Sequence, residues 1–221
     1  MNNVPALGPW HEECEAWSQF YKFASGLYLQ EPSQGKIEES RRVGELLHAH
    51  LPDASFPQLL AHARIEDAET IKQEYYDLFF VPVSGTYCPP FEAVYTEGKL
   101  NQTEVGLLYQ ATGFEIGLLA NIPSYLKLLN RPDHIGFELA FISNMLTTIA
   151  REPDDSKAHA LHETCLTFCR KHFSAWAADF GRKVKEAAQT PYFQACGEIT
   201  SFLASPQIFR PFQAGEIAKK V

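Results

Sequence analysis

The chain has 221 residues, 45% of them hydrophobic, enough to bury a core as one domain or two small subdomains. Its 19 Lys and Arg against 27 Asp and Glu leave a net charge of -8, which disfavours nucleic acid and anionic membrane surfaces and attracts a cationic partner. Five scattered cysteines, and an N-terminal MNNVPALGPWHEECEAW without a basic stretch followed by an apolar core, predict a reduced, cytoplasmic protein without stable membrane insertion.

Trp10, Cys14, Trp17, Tyr21, Ala24 and Tyr28 recur at spacings of three and four, which predicts an amphipathic helix over 10–30. A second helix, 36–50, stops at Pro52, and a third, 66–80, sets Ile71, Tyr75, Leu78 and Phe79 on one side. Residues 79–98, FFVPVSGTYCPPFEAVYTEG, then read as an irregular loop with three prolines and several aromatic rings. Beyond it, 101–110 is helical with Asn101 or Thr103 as cap, Gly113 breaks the pattern, and 114–129 resumes it with an interruption at Asn121 to Pro123. Residues 134–151 are apolar around most of the helical circumference and predict a central helix. Segments 155–180 and 182–203 supply two more, with Gly181, Pro191 and Pro206 as breaks. Nothing alternates at period two, so the predicted class is all-α: an N-terminal half over 1–125, a hinge over 126–133 and a C-terminal half over 134–221.

Few residues point to chemistry. There is no phosphate loop of the GxxxxGK[ST] type, no GxSxG and no GxGxxG after a strand. His134 and Glu138, like Cys165 and Cys169, are four apart and share a helix face, with His159, His162 and His172 nearby; a metal site competes here with plain packing of small cysteines. Cys88 lies in the loop without a basic neighbour to activate it, His134 being its one candidate partner. Asp133, after Pro132, suits a helix cap, while His134 can hold the Glu138 carboxylate or respond to pH. The aromatic loop has two readings: a cover for the open end of the bundle, or a stiff wall on which an apolar peptide docks at little entropic cost.

Several short motifs, in the same order, resemble the TorD/DmsD/NarJ-like redox-enzyme maturation chaperones. Tyr75-Tyr76-Asp77-Leu78-Phe79 followed by Pro82 is similar to that family's Y-x-x-LF-x-x-P, and Pro89 to Tyr95 resembles its P-P-aromatic-E-S-x-Y loop, with Ala93 in place of serine. Pro132-Asp133-His134 looks like the interdomain Asp-His motif, and Glu138 to Phe141 resembles the E-L-x-F that follows it. Phe168, His172, Trp176 and Phe180 are similar to the C-terminal F-x-x-x-H-x-x-x-W-x-x-x-F. The chain departs from the pattern where Asn130 and Arg131 stand in place of a glutamate carried by many members.

The resemblance implies a non-catalytic, cytoplasmic chaperone of anaerobic respiration. It would bind the twin-arginine leader, and often the apo body, of a molybdopterin-containing oxidoreductase subunit until its cofactor is inserted. It implies a peptide-binding groove with Tyr75, Leu78, Phe79, Pro82, Pro90, Phe91 and Tyr95 on one wall, and Pro132, Asp133, His134 and Glu138 at the hinge. Guanidinium groups favour carboxylates, and an apolar leader favours an aromatic wall. Two alternatives stand beside it: a helical nucleotide-binding switch or hydrolase taking GTP, and a scaffold for a non-exported nitrate-reductase-type subunit. As assembly states, a monomer and a dimer that exchanges helical halves both fit.

Overall fold

In the computed structural model, helices form where the apolar spacing predicts them, and what holds them is burial of those same side chains. The structure describes residues 9–96, 101–129 and 131–205; Asn130, the loop end beyond Thr96, the Asn101 side chain and the break expected at Pro206 lie outside them. The helices are α1 (Pro9–Leu29), α2 (Gln34–His50), α3 (Phe56–Ala61), α4 (Ala68–Phe79), α5 (Glu92–Tyr95), α6 (Asn101–Thr112), α7 (Ser124–Leu128), α8 (Ile135–Arg151), α9 (Asp155–Phe168), α10 (Ser174–Ala187) and α11 (Pro191–Leu203). Among the described residues the one β feature is an isolated antiparallel bridge between Phe91 and His134, so the fold is all-α.

α1 lies along α8, α10 along α11, and α3 beneath α2 and α11. The hydrophobic cluster runs without interruption from Tyr21 and Tyr28 in α1, through Tyr75 and Phe79 in α4, to Phe141, Trp176, Phe180 and Phe193. Polar atoms inside it are satisfied across elements. Ser25 Oγ donates to the Gly136 carbonyl at 2.9 Å, Ser143 Oγ to the Ser18 carbonyl at 2.8 Å, and Tyr75 Oη to the Tyr28 carbonyl at 2.9 Å. The Glu74 carboxylate accepts from the backbone N–H groups of Gln189 and Thr190 and from the Thr190 hydroxyl, anchoring the start of α11 to α4.

Several boundaries differ from expectation. The helix expected over 114–129 contracts to a 3-10 turn at Ile116–Leu118 and the short α7, because Gly113 and Asn121 sit at positive φ (72° and 58°) and Pro123 follows. Two short helices appear that the pattern did not mark, α3 between the second and third expected helices and α5 within the expected loop. The segment expected as one helix over 155–180 passes through a π-helical turn at Cys169–Phe173, which turns both His172 and Phe173 inward. Gly181 does not break its helix, and α10 runs through it to Ala187. Its reason for being glycine is contact: a Cβ there would lie 2.5 Å from the Gly197 carbonyl oxygen of α11, and one on Gly197 would lie 2.4 Å from the Gly181 carbonyl oxygen.

That contact is rigid backbone on both sides, so neither helix can yield cheaply. Gly181→Ala and Gly197→Ala are each expected to destabilise the protein by about 2 kcal/mol in urea unfolding. Gly35→Ala, on an open face of α2 with nothing within 4 Å, is expected to leave stability unchanged or raise it by about 0.5–1 kcal/mol.

Candidate functional site

The motif residues converge at the short ladder that joins the proline-aromatic loop to the start of α8. The Glu92 N–H donates to the Asp133 carbonyl at 2.9 Å, and the Ile135 N–H donates to the Pro90 carbonyl at 2.9 Å. Tyr109 Oη, from α6, donates to the Pro132 carbonyl at 3.1 Å. Prolines before the paired residues preset φ and carry no N–H that would need a partner. The His134 ring packs edge-on against Phe91 at 5.4 Å between centroids.

Asp133 is wholly buried. Sequence reasoning expected it to cap α8, but His134 does that, its Nδ1 accepting from the Gly136 N–H at 3.1 Å. The Asp133 carboxylate instead takes one edge of the Arg131 guanidinium in a bidentate pair, Nε to Oδ1 at 3.0 Å and Nη2 to Oδ2 at 3.1 Å, and accepts from the Ala93 N–H at 3.3 Å. The same guanidinium lies 4.2 Å from the centroid of the Phe91 ring. Burial, offset in part by Asp133 and reinforced by Arg131, lowers the His134 pKa to about 3. The imidazole is therefore neutral across the physiological range, not the charged partner of Glu138 or the neutral-pH sensor that its position suggested.

Two further buried carboxylates stand behind this ladder. Both oxygens of Glu92 are 3.2 Å from His172 Nδ1, which the π turn brings inward. Glu138 Oε2 accepts from Trp176 Nε1 at 3.2 Å, while its Oε1 is buried without a hydrogen-bond partner. Burial first, then the neighbouring Glu92 charge, hold the Glu138 carboxyl well above the usual carboxylate range, which favours its neutral form. Glu92, His172, Arg131 and Trp176 were not singled out as site residues. The signals for them were a charged side chain between aromatic and apolar neighbours and a basic one beside the Asp-His pair.

The expected groove wall divides. Tyr75, Leu78 and Phe79 are core residues: Tyr75 and Phe79 pack on Phe193, and Phe79 on Tyr28 and Phe180, so they do not line an open surface. Pro90 is buried at the ladder. Phe91 and Tyr95 are half-buried, Tyr95 against Trp176 and Phe180 with the Lys183 ammonium 4.6 Å from its ring centroid. Pro132 is half-buried, and Pro82 is exposed beside Val83, which is 92% exposed. The loop thus covers the bundle with one side and presents a narrower apolar surface with the other. Burial pushes the Cys88 thiol up, against thiolate chemistry, and its Sγ contacts the Thr86 carbonyl at 3.4 Å instead of His134. Among the described residues no three His, Cys, Asp or Glu side chains are grouped to hold a metal; Cys165 and Cys169 are buried.

The two shifted groups predict pH slopes of opposite sign. His134 has a folded pKa depressed from 6.5 to about 3, so the stability tied to it is complete above about pH 6.5 and is lost as pH falls toward 3, by up to about 1.4 kcal/mol per pH unit. His134→Asn, which keeps a cap acceptor, is expected to lose that slope in urea unfolding. Glu138 has a raised folded pKa, so its favourable contribution is complete below the ordinary value of 4.5 and is lost as pH rises. Glu138→Gln is expected to gain stability relative to the parent as pH is raised above 4.5.

The family model described as nitrate reductase delta subunit matches residues 47–182, more than half of the chain. That interval holds the loop, the Asp133-His134 ladder, Glu138, and the Phe168, His172, Trp176 and Phe180 series. No curated protein and no solved structure matches the chain. The chain belongs to the nitrate reductase delta subunit family, the NarJ- and TorD-like non-catalytic chaperones of molybdoenzyme assembly.

Proposed function

We propose that this chaperone holds the apo form of a nitrate-reductase-type molybdoenzyme subunit in the cytoplasm until its cofactor is inserted, and that it grips the arginine-bearing leader of that subunit on the outer face of the proline-aromatic loop. The observation that carries the site is that two half-buried loop rings lie under cations, Arg131 over Phe91 and Lys183 over Tyr95. Such faces suit guanidinium groups, and the exposed Pro82, Val83 and Val94 offer apolar surface for the residues that follow them in a leader. The net charge of -8 favours encounter with a basic segment. No helix among the described residues is long and apolar enough to cross a membrane.

A second reading has its own support. The family is described by nitrate reductase, and Leu118, Tyr125, Leu128 and Leu129 expose apolar surface on and around α7, which suits the unfinished body of a subunit without a leader.

Calorimetry with a twin-arginine leader peptide separates them. Binding is expected, weakened about tenfold when both arginines are lysines, which lack the planar fork and stack poorly on rings. Val83→Asp is expected to weaken binding severalfold with unchanged thermal stability, because Val83 touches little of the core. Recovery of the apo subunit by the native protein without any affinity for the leader peptide would overturn the leader site in favour of the second reading.

A further inference from the structure

We infer that the pocket between Asp133, the Ala93 N–H and the Phe91 ring is a guanidinium site, and that Arg131 fills it as an internal stand-in for an arginine of the client; the client half of this inference rests on the leader reading above. A guanidinium is recognised by three features together: a carboxylate that takes two parallel N–H bonds, an aromatic face beneath the plane, and exclusion of water. Arg131 has the first two here, and the third holds for the carboxylate that receives it. It makes a bidentate pair at 3.0 and 3.1 Å with a carboxylate that is wholly buried, and it lies 4.2 Å from the Phe91 centroid. The receptor half is rigid. Asp133 is fixed by its carbonyl to the Glu92 N–H and by its side chain to the Ala93 N–H, and Phe91 by its bridge to His134.

The occupant is less fixed than the receptor. The Arg131 side chain is 32% exposed, where that of its partner is 0% exposed. It sits two residues from Asp133, in the turn that leads to the α8 cap, where no helix of its own holds it. Departure of Arg131 into solvent would leave a buried carboxylate and a ring face, with no other cation on Asp133 among the described residues. A guanidinium from outside that meets the same carboxylate and ring takes the same place. The site is therefore in competition with itself, and apparent affinity for an external arginine is the intrinsic affinity multiplied by the fraction of time that Arg131 is absent.

The test uses the full chain and methylguanidinium, with methylammonium and sodium chloride at equal ionic strength as controls. Arg131→Ala is expected to lower the melting temperature, and methylguanidinium, not methylammonium, to restore it, while the parent shows no such specific response. Should Arg131→Ala fold poorly, Arg131→Lys keeps the charge without the fork and is expected to show the same selective stabilisation in smaller measure. Arg131→Ala with Asp133→Asn removes both charges and is expected to fold and to ignore methylguanidinium. No selective stabilisation of either single variant would overturn the site. In a second arm, the twin-arginine leader peptide is expected to bind Arg131→Ala about tenfold more tightly than the parent. Selective stabilisation by methylguanidinium with unchanged leader affinity would uphold the guanidinium site and overturn the leader as its ligand.

Discussion

One antiparallel bridge, Phe91 against His134, holds the middle of this molecule together. Two backbone hydrogen bonds make it, each closing a buried N–H onto a buried carbonyl, and leaving either group unmatched would cost about 1–3 kcal/mol. The loop has almost no regular structure of its own, so these bonds, with the Cys88 N–H on the Leu78 carbonyl at 2.7 Å, set where its side chains go. Once Glu92 is beside Asp133 in the ladder, its carboxylate must point at the C-terminal helices, and the π turn at Cys169–Phe173 presents His172 to meet it. A regular helix there would move His172 around the axis, away from Glu92.

Three carboxylates buried near one another should repel, and the fold relieves each differently. Asp133 is paired with Arg131, Glu92 faces His172, and Glu138, whose carboxyl burial pushes up toward its neutral form, accepts from Trp176. Buried charge pairs seldom add net stability, because desolvation offsets their attraction, whereas losing one partner costs about 3–5 kcal/mol. Stability here comes from rings such as Trp176, Phe180 and Phe141, which are essentially inaccessible and contribute roughly 1.5–3 kcal/mol each. The polar set contributes position: this placement of the loop gives Asp133 and Glu92 their basic partners at once, while one oxygen of Glu138 stays without a hydrogen bond.

How much of this was legible in the sequence depends on the range of the interaction that decides each feature. Periodicity marked α1, α2, α4 and α8 because their apolar stripes are set locally. It failed at Gly181, where glycine looks like a breaker in one dimension but is a contact with Gly197 in three, and at 114–129, where positive φ at Gly113 and Asn121 outweighs an apolar run. At the site, the Asp-His pair was visible as a motif, while its meaning was not. Whether a carboxylate two residues after an arginine caps a helix or grips the guanidinium depends on which groups the ladder has already satisfied. The rings of Tyr75 and Phe79 likewise looked available until the partners that cover them, Phe193 and Phe180, arrived from more than a hundred residues away.

A chaperone must hold a client and then release it, and the covered rings of the loop bear on how selectivity survives that demand. A bare aromatic wall beside a buried carboxylate would take any basic, greasy segment in an acidic protein's surroundings. An internal arginine changes the terms, since it is present at the high effective concentration of a tethered group and never diffuses away. An external cation alone gains nothing by exchange, because it trades one guanidinium contact for another. Only a segment that adds contacts beyond the pocket, such as apolar residues reaching Pro82 and Val83, moves the balance. On this view the arginine sets the register, the apolar flank supplies the free energy, and refilling of the pocket by Arg131 assists release.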